Sequence, residues 1–328
     1  MLGKARTAWW AAIALLLAGC GQERGGAATL TGSIVDYGRT PSGGTLRGAL
    51  YLPAGEGPFP VILYAHGGAA GSWSNTAFEV VAPHFTRRGW AVFAPYRRGQ
   101  GLSRDAGPYA GDEIAEARSA GGTDRAQERL AGLLAGEHMD DQSQAFAWLS
   151  RQPFADRRRI AAMGNSFGGI IALLGSERFE LCAAVDAAGG AESWGRSPAL
   201  RALMTQAAHR ARAPVLFIQA RNDFDTSPSR ILHAAMVRAG KPAELRLYPP
   251  FGSTARDGHA FAYEGVSTWA GHAHAFLAGA CPGRRQAYSA AIASGGWSAA
   301  AASASAMAAM SLAVRSKPGP VVRRSGAR

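Results

Sequence analysis

Ser166 lies in Met163-Gly164-Asn165-Ser166-Phe167-Gly168-Gly169, a G-x-S-x-G arrangement set between two apolar runs. Ile160-Ala161-Ala162-Met163 before it reads as a strand, and Ile170 to Leu174 after it reads as a buried helix. A sharp turn between such elements strains the serine backbone and projects the hydroxyl from the sheet edge. The flanking glycines let strand and helix approach without Cβ clashes. Phe167 would then offer its main-chain N–H at the helix start, where unpaired amides favour a developing oxyanion. A glycine-rich turn with an incidental serine has the same five residues, so the chemistry depends on partners elsewhere.

A serine hydroxyl needs an imidazole to take its proton and a carboxylate to hold that imidazole's tautomer. Among the eight histidines, His84, His209 and His233 fall on expected helices, His138 on a charged segment, and His272 and His274 on the closing helix. His66 opens a glycine loop that it would brace. His259, in Arg256-Asp257-Gly258-His259-Ala260-Phe261, follows the last expected strand and is expected in a loop as the general base. Asp223, in Arg221-Asn222-Asp223-Phe224-Asp225, is the first choice of acid because it emerges at the carboxyl edge of a strand, where α/β sites gather. Asp225 and then Asp186 are the alternatives, and capping the next helix is the other use for such a carboxylate. In His66-Gly67-Gly68-Ala69-Ala70-Gly71, Gly68 or Ala69 would supply a second oxyanion N–H to pair with Phe167. Asn75, Arg98 and Trp194 are candidates to line the pocket, and each reads equally well as a structural loop residue. No paired histidines at helical spacing and no phosphate loop are present, so no cofactor or metal is expected.

The elements that must position these groups alternate along the chain. Leu30 to Tyr37 and Leu46 to Leu52 suggest an antiparallel hairpin at a sheet edge, and Pro60 to Ala65 a strand covered on both faces. Helix then alternates with strand: Phe78–Arg88, Ala91–Ala94, Asp140–Arg151, the Ser166 strand and helix, Leu181–Val185, Ala199–Arg212, Pro214–Ala220, Ser229–Arg238, Ala243–Tyr248 and Gly265–Leu277. Residues 105–137 lack a clear period and are expected as a loop or short helices over the strand ends. The pattern predicts an α/β fold, a mostly parallel sheet with helices on both faces and an antiparallel N-terminal hairpin, over residues 29–282.

The formal charge of +12 belongs mostly to the ends of the 328 residues. Residues 281–328 hold seven Arg or Lys and no acid, and Lys4 and Arg6 lie at the start. No arginine stripe with interleaved aromatics marks the middle, so no nucleic-acid partner is expected. Residues 1–19 read as an export signal, a basic start followed by an apolar stretch too short to span a bilayer. Leu17-Ala18-Gly19-Cys20 resembles the bacterial lipobox, which implies a lipid anchor on Cys20 in the cell envelope, with the outer membrane suggested by Gly21. Residues 20–28 then read as a flexible tether and 283–328 as a disordered Ala/Ser/Arg-rich tail. Cys182 and Cys281 are the remaining thiols; in an exported chain they form one possible disulfide, against two separate buried thiols.

The combination resembles the α/β-hydrolase superfamily, and within it the dienelactone hydrolase-like and acyl-esterase proteins, over about residues 45–280. The carrying motifs are His66-Gly67-Gly68, Tyr96-Arg97-Arg98-Gly99-Gln100-Gly101, Asp156–Ile160 leading into Gly164–Gly169, Asn222-Asp223 and Gly258-His259-Ala260-Phe261. Dienelactone hydrolases proper use a cysteine nucleophile, and here Ser166 stands in that place. The resemblance implies a serine hydrolase of small carboxylic esters acting through an acyl-enzyme. The alternatives are a peptidase of prolyl-oligopeptidase type and a catalytically silent envelope lipoprotein on the same scaffold.

Overall fold

The computed structural model describes residues 32–68 and 77–283. The export signal, Cys20, the tether, Ala69, Asn75 and the tail beyond Gly283 lie outside the described residues.

The first strands, β1 (Ser33–Arg39) and β2 (Thr45–Tyr51), form the expected antiparallel pair. β2 also runs antiparallel to β4 (Ala91–Pro95), and from there every pairing is parallel. β3 (Phe59–Ala65), β5 (Ala155–Asn165), β6 (Ala183–Ala187), β7 (Val215–Ala220) and β8 (Ala243–Tyr248) complete an eight-stranded sheet of order β1-β2-β4-β3-β5-β6-β7-β8. β4, β6 and β7 are buried along their whole length, which is why they read as near-continuous apolar runs rather than alternating ones.

The two faces are divided by the pleat. Leu216 and Ile218 of β7 pack in the cluster that holds Phe85 of α1 (Ala77–Thr86) and Trp269 and Leu277 of α8 (Val266–Ala280). Val215 and Phe217 point the other way, into a cluster with Leu173 of α4 (Phe167–Arg178), Met204 of α5 (Pro198–Arg210) and Met236 of α6 (Ser227–Arg238). α3 (Glu137–Leu149) covers β1, β3 and β5 on that second face.

Residues 110–135, together α2, form two shorter helices that meet at a kink at Gly121 and Gly122, where the backbone leaves helical angles, the short-helix form of the sequence reading. The charged, Gly-rich composition of α2 masks a buried stripe through Ala126, Leu130, Leu133 and Leu134. One segment differs from its sequence reading. His259 sits not in a loop but in the short helix α7 (Ala255–Ala260), whose start is fixed by a Thr254–Asp257 capping box.

Cys182, just before β6, is joined to Cys281, just after α8, by a disulfide closing a sequence separation of 99 residues. In the chain-entropy picture a loop of that size stabilises by about 4–5 kcal/mol.

Candidate active site

The carboxyl ends of β3, β5, β6 and β7 converge on one cleft. Ser166 occupies the turn from β5 into α4 with φ 55 and ψ −118, a left-handed conformation that costs a non-glycine residue about 1–3 kcal/mol. Local bonds hold it there: its N–H donates to Ala187 O at 2.8 Å, and its carbonyl accepts from Ile170 N at 3.2 Å. Gly168 has no substitute at this turn, since a Cβ on it would fall 1.8 Å from Ala65 O.

The strain aims the hydroxyl at His259. Ser166 Oγ and His259 Nε2 are 2.9 Å apart, and His259 Nδ1 lies 2.8 Å from Asp223 Oδ1. Asp223 Oδ1 also accepts from Phe224 N at 2.7 Å, and Oδ2 accepts from Gln219 Nε2 at 2.7 Å. With the carboxylate held on both oxygens, Nδ1–H is the donor and Nε2 is left as the acceptor for the serine proton. Burial works against the imidazolium, but the hydrogen bond and charge of Asp223, with a contribution from Glu192, outweigh it, and the His259 pKa is raised.

The alternative acids do other things. Asp225 Oδ1 accepts from Ser227 N at 2.7 Å at the start of α6, the capping role. Asp186, buried on β6, accepts from Gly189 N at 2.8 Å, and burial pushes its carboxyl up to about 7. Asn222, beside Asp223, ties its segment to the one that leads into His259. Its Nδ2 donates to Phe251 O and Thr254 O, both at 2.9 Å, and its Oδ1 accepts from Phe251 N at 2.9 Å. Gly258 permits this docking, for a Cβ there would meet the Asn222 carbonyl carbon at 2.5 Å. Sequence reasoning assigned no role to Asn222 or Gln219; their contacts join segments up to 32 residues apart.

Phe167, at the first position of α4, and Gly68, after β3, both line the cleft beside Ser166. Asn165 Oδ1 binds the two segments, accepting from Gly67 N at 3.1 Å and Tyr64 Oη at 3.0 Å. Arg97 binds them a second time. Its Nη1 donates to His66 O at 2.5 Å, its Nη2 to Gly67 O at 3.0 Å and to Gln100 Oε1 at 2.7 Å, and its guanidinium lies 4.4 Å above the centre of the Phe167 ring. Burial brings the Arg97 pKa down to about 9, and Asp141, Tyr37 and Tyr109 oppose the fall. His66 braces the same loop: Nδ1–H donates to Gly67 O at 2.9 Å and Nε2 accepts from Arg97 N at 3.3 Å. Burial first, and then the charge of Arg97, hold its pKa well below the ordinary value, so it stays neutral.

Two of the pocket candidates lie elsewhere. Arg98 turns away from the cleft into a buried pair with Asp141, accepting partner of its Nε and Nη2, while its neighbour Arg97 faces the cleft. Trp194 is buried in the core against α5. His138, expected on a charged segment, is buried edge-on to Phe167 with neither ring nitrogen hydrogen-bonded among the described residues, and burial followed by Arg97 depresses its pKa.

The cleft has a volume of about 650 Å³. Tyr109, Ile114, Leu130, Ile170, Phe224 and Tyr263 give it apolar walls, with Arg118, Glu192 and Arg256 among the charged groups around it. Among the described residues no group of His, Cys, Asp or Glu is placed to hold a metal ion.

A family model described as the dienelactone hydrolase family matches residues 46–304. A search among curated proteins finds no match. Among solved structures, a puromycin-hydrolysing peptidase of Mycobacterium tuberculosis is 19% identical over 79% of this chain and 41% of its own, with a TM-score of 0.59. The acylaminoacyl peptidase of Pyrococcus horikoshii is 17% identical over 74% of this chain and 41% of its own, with a TM-score of 0.53. Esterase 2 of Thermogutta terrifontis is 19% identical over 76% and 94%, at a TM-score of 0.48. This chain spans less than half the length of the two peptidases, and at these identities the likeness is one of fold.

Proposed function

Because the chain belongs to the dienelactone hydrolase family, we propose that it is a serine hydrolase of carboxylic esters that works outside the cytoplasm. The observation that carries the reading is the continuous line from Ser166 Oγ through His259 to the buried carboxylate of Asp223, opening on a partly apolar cleft.

In the proposed reaction Ser166 Oγ attacks the ester carbonyl as His259 Nε2 takes its proton. The Asp223 carboxylate stabilises the imidazolium that results. The tetrahedral oxyanion sits against the N–H of Phe167, with Gly68 or Ala69 expected to supply the second main-chain donor. Collapse breaks the bond to the alcohol, which leaves with the proton from His259. Water then enters, His259 removes its proton, and the acyl group departs as the acid while Ser166 regains its hydrogen.

The ester class is supported by the family, whose description names a lactone, and a lactone is a cyclic ester. One observation favours the peptidase alternative. Glu192 stands at the cleft, where a carboxylate would suit the free ammonium of a peptide's first residue. Side-by-side turnover of p-nitrophenyl esters and aminoacyl p-nitroanilides tests this; faster hydrolysis of the anilides by matched acyl groups would replace the ester reading. The silent-scaffold alternative would be revived by a folded protein that no fluorophosphonate labels.

The envelope location is supported by the export-like segment and by Cys20, and the Cys182–Cys281 disulfide suits an oxidising compartment. Metabolic palmitate labelling tests the anchor, with label on the wild type and none on Cys20→Ala. Label that survives the substitution would remove the anchor.

A further inference from the structure

The edge of the sheet opposite the catalytic cleft is basic, and both ends of the described chain leave from it. β1 runs in the same direction as β4, so Ser33 lies at the amino edge of the parallel strands. Cys281 lies there too, bonded to Cys182 just ahead of β6. This edge carries Arg87, Arg88, Arg151 and Arg212 in its connections and Arg157 and Arg158 at the start of β5, all exposed. The carboxylates among them are Glu56, Asp156, Glu177 and Glu180, fewer than the arginines, while the domain as a whole is close to balanced.

A groove of about 710 Å³ opens on the same edge. Phe146 and Phe179 stack in it at 5.1 Å with their planes 9° apart, and three cations, Arg157, Arg158 and Arg212, stand around them against one carboxylate, Glu180. Arg212 donates from Nε to Glu177 O and from Nη2 to Arg178 O, which fixes one positive wall. A fixed cation beside an apolar aromatic floor suits a phosphate joined to a hydrocarbon-bearing glycerol.

We propose that this amino-edge face docks on a bilayer of anionic phospholipid, with the headgroup phosphates against Arg151, Arg157 and Arg158. The length of chain outside the structure agrees: Cys20 precedes Gly32 by twelve residues, a reach of at most about 40 Å. On the other side the residues after Gly283 add only basic charge. The anchor component rests on the envelope reading above; the face itself does not. Strand β5 then separates the bilayer from Ser166 by roughly 30 Å, so the ester reaches the cleft from the aqueous side.

The test uses the mature chain from Cys20 onward carrying Cys20→Ala, so that no acyl chain contributes, and vesicles of phosphatidylcholine with or without phosphatidylglycerol. Co-sedimentation at about 0.1 M salt should show binding that requires phosphatidylglycerol. Arg151→Glu/Arg157→Glu/Arg158→Glu should weaken it at least tenfold, since each basic residue at an anionic surface contributes about a factor of five. A variant with the tail cations Arg315, Lys317, Arg323 and Arg324 changed to Gln should keep most of the binding. An unchanged unfolding midpoint in the triple variant shows that the fold survives. Equal binding by the triple variant, equal binding to pure phosphatidylcholine, or loss only in the tail variant would overturn the proposal. Capture of duplex DNA without capture of vesicles would overturn it in favour of a nucleic-acid face. Palmitate labelling of Cys20 and fluorophosphonate labelling of Ser166 are separate readouts, so failure of the anchor or of the hydrolase reading is told apart from failure of the face.

Discussion

His259 Nδ1 lies 2.8 Å from Asp223 Oδ1, and the Asp223 side chain has no solvent exposure. The pair favours the protonated imidazole, so the base is neutral only above a pKa raised from the ordinary 6.5. Ester turnover should therefore rise with pH through a midpoint above 6.5. The same shift has the opposite effect on stability. Its contribution is complete below the unfolded pKa and is lost as pH rises through the folded one. Asp223→Asn should lower kcat/KM by about ten-thousand-fold and move the midpoint of the remaining activity down. A pH–rate profile of both proteins checks this.

Ser166 is held at φ 55, where glycine is at ease. Ser166→Gly should abolish turnover and raise stability by about 1 kcal/mol through relief of that strain. Gly168→Ala should do the reverse to the fold, costing more than about 2 kcal/mol because its Cβ has Ala65 O in its place. Urea unfolding of the two variants beside the wild type measures both signs.

Arg97 joins the carbonyls of His66 and Gly67 to the ring of Phe167, and so couples the segments expected to supply the two oxyanion donors. Phe167→Leu keeps the main-chain N–H and removes the ring beneath the guanidinium. The expected result is a fall in kcat of about tenfold with KM within a factor of two, a part of the loss seen when a whole donor is removed. Affinity for a trifluoromethyl ketone should fall in parallel. A raised KM at unchanged kcat would assign Phe167 to substrate binding instead.

Asp186 is buried with its carboxyl pushed up to about 7. The folded state therefore holds a proton that the unfolded chain releases near pH 4, and stability should decline between those values as pH rises. Asp186→Asn keeps an acceptor for Gly189 N and removes the charge. Its stability relative to wild type should improve from pH 5 to pH 8, by roughly 2 kcal/mol, read from unfolding midpoints at the two pH values.

Ser166 and His259 could be read from the chain because glycine spacing and strand ends are local signals. Asp223 follows the segment that reads most plainly as a strand, β7, and its alternatives, Asp225 and Asp186, separate only when the contacts of α6 and Gly189 are known. The choice between Arg97 and Arg98 could not be read, since adjacent residues point opposite ways and the deciding partner, Asp141, lies 43 positions on. The helix that carries His259 is six residues long, too short for any period. Within α2 the sequence left loop and short helices open, because Gly121, Gly122 and the charges mask the period of its buried stripe, which packs beside the cleft. Trp194 takes the structural alternative that its sequence left open: a large side chain near the strand ends is drawn inward by the core.

The most direct test is labelling of the purified protein with a fluorophosphonate, followed by mass spectrometry of the adduct, in wild type, Ser166→Ala and His259→Ala. The expected result is one adduct on Ser166 in the wild type, none in Ser166→Ala, and labelling slowed by several orders of magnitude in His259→Ala. A folded wild-type protein that takes no label, or takes it at another residue, would contradict the serine hydrolase reading.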